Sequence, residues 1–157
     1  MQKFVKESEF EASADEVFAF HERPDAFELL QPPWQTFEII QPPSSLEVGT
    51  IVKLRVKVGP LWQTIVAEHV DYQPGRMFAD RMVKGPFKHW LHRHMVTPLE
   101  PGRCRLTDDI EYQLPMGAAG QLFGGWFAKR SLERLFDYRH QVTREHCERS
   151  DSELSGD

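Results

Sequence analysis

The stretch LPMGAAGQLFGGWFAKRSLERLFDYRHQVTREHCE, residues 114–148, decides the fold. Within it Leu122, Phe123, Trp126, Phe127, Leu132, Leu135, Phe136 and Val142 recur at three- and four-residue intervals, the period of an amphipathic helix, and Arg139 falls in the same stripe. The pattern predicts one helix from about Ala118 to Glu148, about 45 Å long at 1.5 Å per residue and able to cross a whole domain. An apolar face of that length requires a sheet to cover it. Gly117, Gly120, Gly124 and Gly125 cluster at its start, where the missing β-carbon permits either close approach to a sheet or a bend.

Upstream the apolar period falls to two. Strands are predicted at Lys3–Phe10, Phe37–Ile40, Thr50–Val58, Trp62–Tyr72, Met77–Val83, Phe87–Thr97 and Arg103–Leu114. The third is the clearest: Val52, Leu54, Val56 and Val58 share one face and Lys53, Arg55 and Lys57 the other. Turn residues such as Gly59-Pro60, Gln73-Pro74-Gly75, Gly85-Pro86 and Pro101-Gly102 separate the strands, and breaks this short favour antiparallel neighbours. Between the first two strands, Ser13-Ala14-Asp15-Glu16 is an S-x-x-E capping box that starts a short helix anchored by Val17, Phe18 and Phe20. Pro24 opens a second short helix through Leu30, which Pro32-Pro33 ends. The expected class is α+β: a curved antiparallel sheet of seven strands around one long C-terminal helix, with two short helices after strand 1. A sheet curved around a helix leaves room between them for a ligand.

Composition sets the boundaries. The 157 residues are 40% hydrophobic and 27% charged, which excludes the disordered and membrane classes. One domain is expected over 1–148, followed by a polar, acidic, disordered tail at 149–157. With 24 acidic against 19 basic residues the net charge is −5, so nucleic acid is not an expected partner. No apolar run reaches the ~20 residues of a membrane span, and the N-terminus lacks the apolar core of a signal peptide, so a cytoplasmic location is expected. Cys104 and Cys147 lack the spacing of a zinc site and read as reduced, packed thiols.

The candidate chemistry lies in the hairpin between Gly85 and Tyr112. Alternation puts Trp90, His92, His94 and Val96 on one strand face, and Cys104, Leu106, Asp108, Ile110 and Tyr112 on one face of the next. Pairing Pro98 with Cys104 across the Pro101-Gly102 turn sets Val96 opposite Leu106, His94 opposite Asp108, His92 opposite Ile110 and Trp90 opposite Tyr112. A carboxylate beside an imidazole stabilises the imidazolium and fixes a tautomer, as general acid–base chemistry requires. Alternatively, His94 and Asp108 simply satisfy one another as a cross-strand pair. His89, His92 and His94 raise the question of a metal. Only His92 and His94 share a face, and no third ligand is placed by the sequence, so neither metal nor cofactor is expected. Trp34 and Trp62, each beside turn prolines, read as core aromatics, with a rim position as the alternative.

Residues 80–94, DRMVKGPFKHWLHRH, followed by Thr107-Asp108-Asp109 and Tyr112-Gln113-Leu114-Pro115-Met116-Gly117, resemble the START-like SRPBCC superfamily, particularly its bacterial polyketide cyclase/dehydrase-like and ligand-binding proteins. The resemblance implies a helix-grip fold with a deep cavity for an apolar molecule. Members range from lipid and sterol carriers and hormone receptors to aromatase/cyclases and oxygenase domains, so fold alone does not transfer activity. The oxygenase metal motif is not matched here. Three functions follow as expectations. The first is binding or transport of a small hydrophobic molecule, with Val56, Met82, Trp90, Ile110, Phe123, Phe127 and Leu135 as ligand contacts. The second is a cyclase or dehydratase on a carbonyl substrate, in which His92 and His94 move protons, Asp108 orients a histidine and Tyr112 donates to a carbonyl. The third is an interaction module or homodimer, which an exposed apolar patch on the long helix would support.

Overall fold

A computed structural model describes residues 1–148. The tail at 149–157 and the side chains of Gln121 and Phe123 lie outside the described residues, so neither the expected disorder of the tail nor Phe123 as a ligand contact is addressed. The chain runs β1 (Gln2–Phe10), α1 (Ala14–Glu22), α2 (Ala26–Leu29), β2 (Phe37–Gln41), β3 (Ile51–Val58), β4 (Leu61–Gln73), β5 (Met77–Lys84), β6 (His89–Glu100), β7 (Arg103–Gln113) and α3 (Gly117–Cys147). Each expected element is present, with ends displaced by one to three residues; α2 is shorter than its Pro24–Leu30 signal. The capping box is complete: Ser13 Oγ accepts from the Glu16 backbone N–H and the Glu16 carboxylate accepts from the Ser13 N–H.

The seven strands form one antiparallel sheet in the order β1-β7-β6-β5-β4-β3-β2. Register shifts at Ile39/Gln41, Val66/Ala67, His69/Asp71 and Pro98/Glu100 interrupt the ladders, and such bulges sharpen the bend of a sheet. The concave face carries Phe4, Ile110, Val52, Leu54 and Phe78, all buried. α3 packs on β1, β7 and α1. Phe136 and Leu132 join Phe4, Ile110 and Tyr112, while Val142 joins Phe20 and Ala26 of the short helices.

That docking corrects the uniform apolar stripe expected for α3. Leu122, Trp126 and Phe127 are 78%, 73% and 69% exposed, because the side of this half of α3 that meets the sheet is taken by Gly124 and Gly125, which approach Leu114 and Gln2, and by buried Ala128. The start of α3 is nevertheless tightly turned. Met116 adopts a left-handed φ of 66°, and a β-carbon at Gly120 would lie 1.9 Å from the Pro115 carbonyl oxygen, so the close approach predicted for these glycines is to the turn itself. At Gly125 the near neighbour is Gln2 of the sheet, whose Nε2 would lie 3.2 Å from an added β-carbon.

Other expectations change at the strand ends. Val58 is exposed, since β3 and β4 run beyond the helices at their hairpin. Trp34 and Trp62 are not core residues: Trp34 lies under the Arg134 guanidinium at 4.1 Å and Trp62 under that of Arg55 at 4.8 Å, cation–π contacts at the surface.

Cys104 is buried and Cys147 partly buried, both free, and burial pushes each thiol up to about 11. A raised thiol pKa leaves less thiolate, so iodoacetamide labelling at pH 8 should run about a hundredfold slower than for a thiol of pKa near 9 and climb about tenfold per pH unit. Labelling of the native chain at the rate seen in 8 M urea, the denaturing control, would contradict this packing.

Candidate functional site: a histidine–aspartate cluster under the long helix

The β6–β7 register is the one read from the sequence, with Pro98 opposite Cys104, His94 opposite Asp108, His92 opposite Ile110 and Trp90 opposite Tyr112. Two further pairings extend the site. β5 sets Asp80 opposite His92 and Phe78 opposite His94, and β4 sets His69 opposite Asp80. A polar belt therefore crosses the middle of the concave face.

Asp108 is its hub. Its Oδ1 lies 2.7 Å from His92 Nε2 and 2.8 Å from His94 Nδ1, and its Oδ2 accepts from His140 Nε2 at 2.7 Å. His140 is on α3, and its Nδ1 meets Ser8 Oγ of β1 at 2.7 Å, so the cluster ties helix to sheet. On the far side of the two β6 imidazoles, Asp80 Oδ2 lies 3.4 Å from His92 Nδ1 and 3.5 Å from His94 Nε2. Aromatic rings clamp the pair: Phe78 stacks on His94 at 4.0 Å and Phe136 meets His92 edge-on at 5.1 Å. Arg139 closes the helix side, its Nε donating to the Leu30 carbonyl at 3.2 Å.

Electrostatics follow from this crowding. Burial would raise the Asp108 pKa, but the facing charge of His94 and the contacts from His140, His92 and His94 hold it well below the carboxylate range. Asp80 is held low in the same way by His92 and His94 against its burial. For His92, burial is outweighed by the hydrogen bond to Asp108 and the nearby charge of Asp80, which raise its pKa. His21 on α1 lies on the other side of His94, its ring centroid 6.2 Å away and its Nδ1–H donating to the Val17 carbonyl. Burial and then the charge of His94 push it down to about 4. His69 is also lowered, first by burial, and its Nδ1 has no hydrogen-bond partner among the described residues. Arg139 is lowered by burial despite the opposing charges of Asp108 and Asp80.

The predicted site residues therefore divide. His92, His94 and Asp108 are brought together. Tyr112 is buried in an apolar cluster with Phe87 and Trp90, its ring edge-on to Phe87 at 5.6 Å. Trp90, Met82, Val56 and Leu135 are half-buried and Ile110 is fully buried, whereas Phe127 lies at the surface, away from any enclosed wall. Asp80, His140, His21, His69, Ser8 and Arg139 complete the cluster, and none of them is among the site residues that the sequence points to. Asp80 left a signal: between Phe78 and Met82 at period two, it is an acid on an apolar face. His140 left another, four residues after Phe136 in the helical stripe. Asp80 also supplies the carboxylate that the sequence did not place beside His92 and His94: the three ligand atoms lie within 4.8 Å of one another. Two surface grooves, of ≈ 350 Å³ beside Pro98–Arg103 and ≈ 490 Å³ between β1 and α3, contain none of the cluster residues.

A long helix gripped by a curved antiparallel sheet, with short helices closing one end, defines the helix-grip class. The family model for "Polyketide cyclase / dehydrase and lipid transport" matches residues 1–145, and the chain belongs to that family. Ligand binding in general is what this membership supports. None of the curated proteins matches the chain in sequence. Solved structures share the fold. Protein CV1439 of Chromobacterium violaceum has a TM-score of 0.72 at 11% identity over 96% of this chain and 100% of that one. Norcoclaurine synthase of Thalictrum flavum, in complex with dopamine and hydroxybenzaldehyde, has a TM-score of 0.67 at 18% identity over 94% of this chain and 89% of that one. TTHA0849 of Thermus thermophilus has a TM-score of 0.67 at 12% identity over 90% of this chain and 97% of that one. At these identities the likeness is one of fold. No helix among the described residues is long and apolar enough to cross a membrane.

Proposed function

We propose that the chain binds a small, largely apolar molecule in the cleft between β3–β6 and α3, with a polar group of that molecule resting on Asp80 and His94. One observation carries this reading. Val56, Ile65, Ala67, Met82 and Trp90 share the concave face yet remain half-buried, because α3 packs on β1 and β7 at the other side of the sheet. This apolar surface adjoins Asp80 and His94, whose side chains are 18% and 13% exposed, against 3% for His92 and 4% for Asp108. Clefts lined by apolar groups with a few converging polar ones are the usual form of small-molecule sites. Titration of the purified chain with anilinonaphthalene sulfonate, an apolar anionic probe, should give saturable fluorescence, weakened at least about tenfold by Ala67→Trp, which fills the cleft. Probe binding unchanged in a folded Ala67→Trp variant would overturn the assignment.

The second reading is proton transfer on a carbonyl substrate, of the cyclase or dehydratase type. It is favoured by His94, which faces the cleft while its Nδ1 meets Asp108, the arrangement that orients a general base. In this reading His94 moves the proton, Asp108 orients it and buried His92 positions Asp108; Tyr112 would reach a substrate carbonyl only at the apolar end of the cleft. Equal turnover of a candidate substrate by the parent and by His94→Ala would exclude it.

A further inference from the structure

We propose that Asp80, His92 and His94 form a binding site for one divalent transition-metal ion, zinc by the character of its donors, with a coordination position left open on the solvent-accessible side of Asp80 and His94. His92 and His94 are two residues apart on β6 and so share a face, and Asp80 stands directly opposite His92 on β5. Asp80 Oδ2 is 3.4 Å from His92 Nδ1 and 3.5 Å from His94 Nε2. Both separations exceed the 2.7–3.2 Å of a good N–H···O bond. They match instead the edge, about 3.4 Å, of a tetrahedron whose centre lies about 2.1 Å from each donor, and exceed the about 3.0 Å edge of an octahedron with the same arms.

The surrounding shell points the same way. The ring nitrogens facing away from Asp80, His92 Nε2 and His94 Nδ1, lie 2.7 and 2.8 Å from Asp108 Oδ1. In the neutral rings a proton on each of those nitrogens faces the carboxylate, and the lone pairs of His92 Nδ1 and His94 Nε2 are left facing Asp80. Metal-binding imidazoles are held in this way, by a carboxylate on the second nitrogen. Asp108 is itself fixed from behind by His140, which Ser8 holds in turn. Asp80 and Asp108 bring two negative charges to the pair of rings, which suits a dication. All three ligands sit on paired strands, so little reorganisation is needed to bind. Three protein ligands with one open position are the arrangement of zinc sites that also hold water or a substrate oxygen.

The test uses the full chain, stripped with chelator and dialysed. Titration with Co²⁺ should produce the intense visible absorption of a tetrahedral ion, saturating at one equivalent, and competition with a chromophoric chelator should give a Zn²⁺ dissociation constant of about 1 µM or tighter. Asp80→Asn, which keeps the shape of a partly exposed side chain, should weaken Zn²⁺ at least about a hundredfold. Asp108→Asn, outside the first coordination sphere, should weaken it about 10–100-fold. His89→Gln and His146→Gln, outside the cluster, should leave it unchanged. Circular dichroism confirms that each variant is folded. The proposal is overturned if the parent chain binds neither ion more tightly than about 100 µM, or if folded Asp80→Asn binds as the parent does.

Discussion

Asp108→Ala is expected to lower the stability of the chain by about 3–5 kcal/mol, the loss seen when one partner of a buried charged network is removed. Asp108 is almost fully buried and is the group that His92, His94 and His140 all meet. Without it three imidazoles face one another beside Phe78, Phe136 and α3, and His92 and His140, nearly fully buried, cannot turn to water. The carboxylate also joins β7 to α3 through His140, so its loss reaches the packing of the helix. The loss is a large fraction of the about 5–15 kcal/mol that holds a domain folded. Asp108→Asn keeps the shape and one of the two acceptor oxygens and should cost less than Asp108→Ala, although it loses the charge and turns the other oxygen into a donor. Because His140 acts through Asp108, the double variant Asp108→Ala/His140→Ala should cost less than the two single losses added together. Urea unfolding followed by tryptophan fluorescence measures all four, and a loss below about 1 kcal/mol for Asp108→Ala would mean that the imidazoles find other partners.

How much of this cluster was legible follows from sequence separation. The β6–β7 pairing was readable because a tight turn at Pro101-Gly102 fixes the register and alternation fixes the face, so His94 had to meet Asp108 and His92 had to lie beside it. Asp80 reaches the same imidazoles across the Gly85-Pro86 loop. That loop is longer than a two-residue turn, and nothing local in it specifies which residue of β5 stands opposite His92. His140 is 32 residues from Asp108, and its contact depends on where and how far along the sheet α3 is seated. Helical periodicity placed Arg139 at the apolar stripe but could not tell it from His140 beside it; both turn inward, Arg139 toward Leu30 and His140 toward Asp108. The same limit explains α3 as a whole. Period 3.6 marks the large apolar residues, whereas Gly124, Gly125 and Ala128 occupy the side of the N-terminal half that meets the sheet.

The two halves of α3 should therefore respond in opposite ways to the loss of an aromatic ring. Phe136 is 0% exposed, packs on Phe4 with ring centroids 5.7 Å apart and closes the edge of His92. Phe136→Ala should cost about 3–5 kcal/mol, combining lost burial with a cavity that the rigid sheet beneath cannot fill. It should also loosen the His92–Asp108 contact, because one wall of that contact is the Phe136 ring. Trp126, ten residues earlier on the same helix, is mostly exposed and its ring contacts the Arg130 guanidinium at 5.7 Å. Trp126→Ala should fall within about 0.5 kcal/mol of the parent. Chemical denaturation of the two variants beside the parent decides the matter. A loss for Trp126→Ala approaching that for Phe136→Ala would mean that the N-terminal half of α3 is buried in solution, against the same sheet or a second copy of the chain. A concentration-dependent midpoint would identify the second copy.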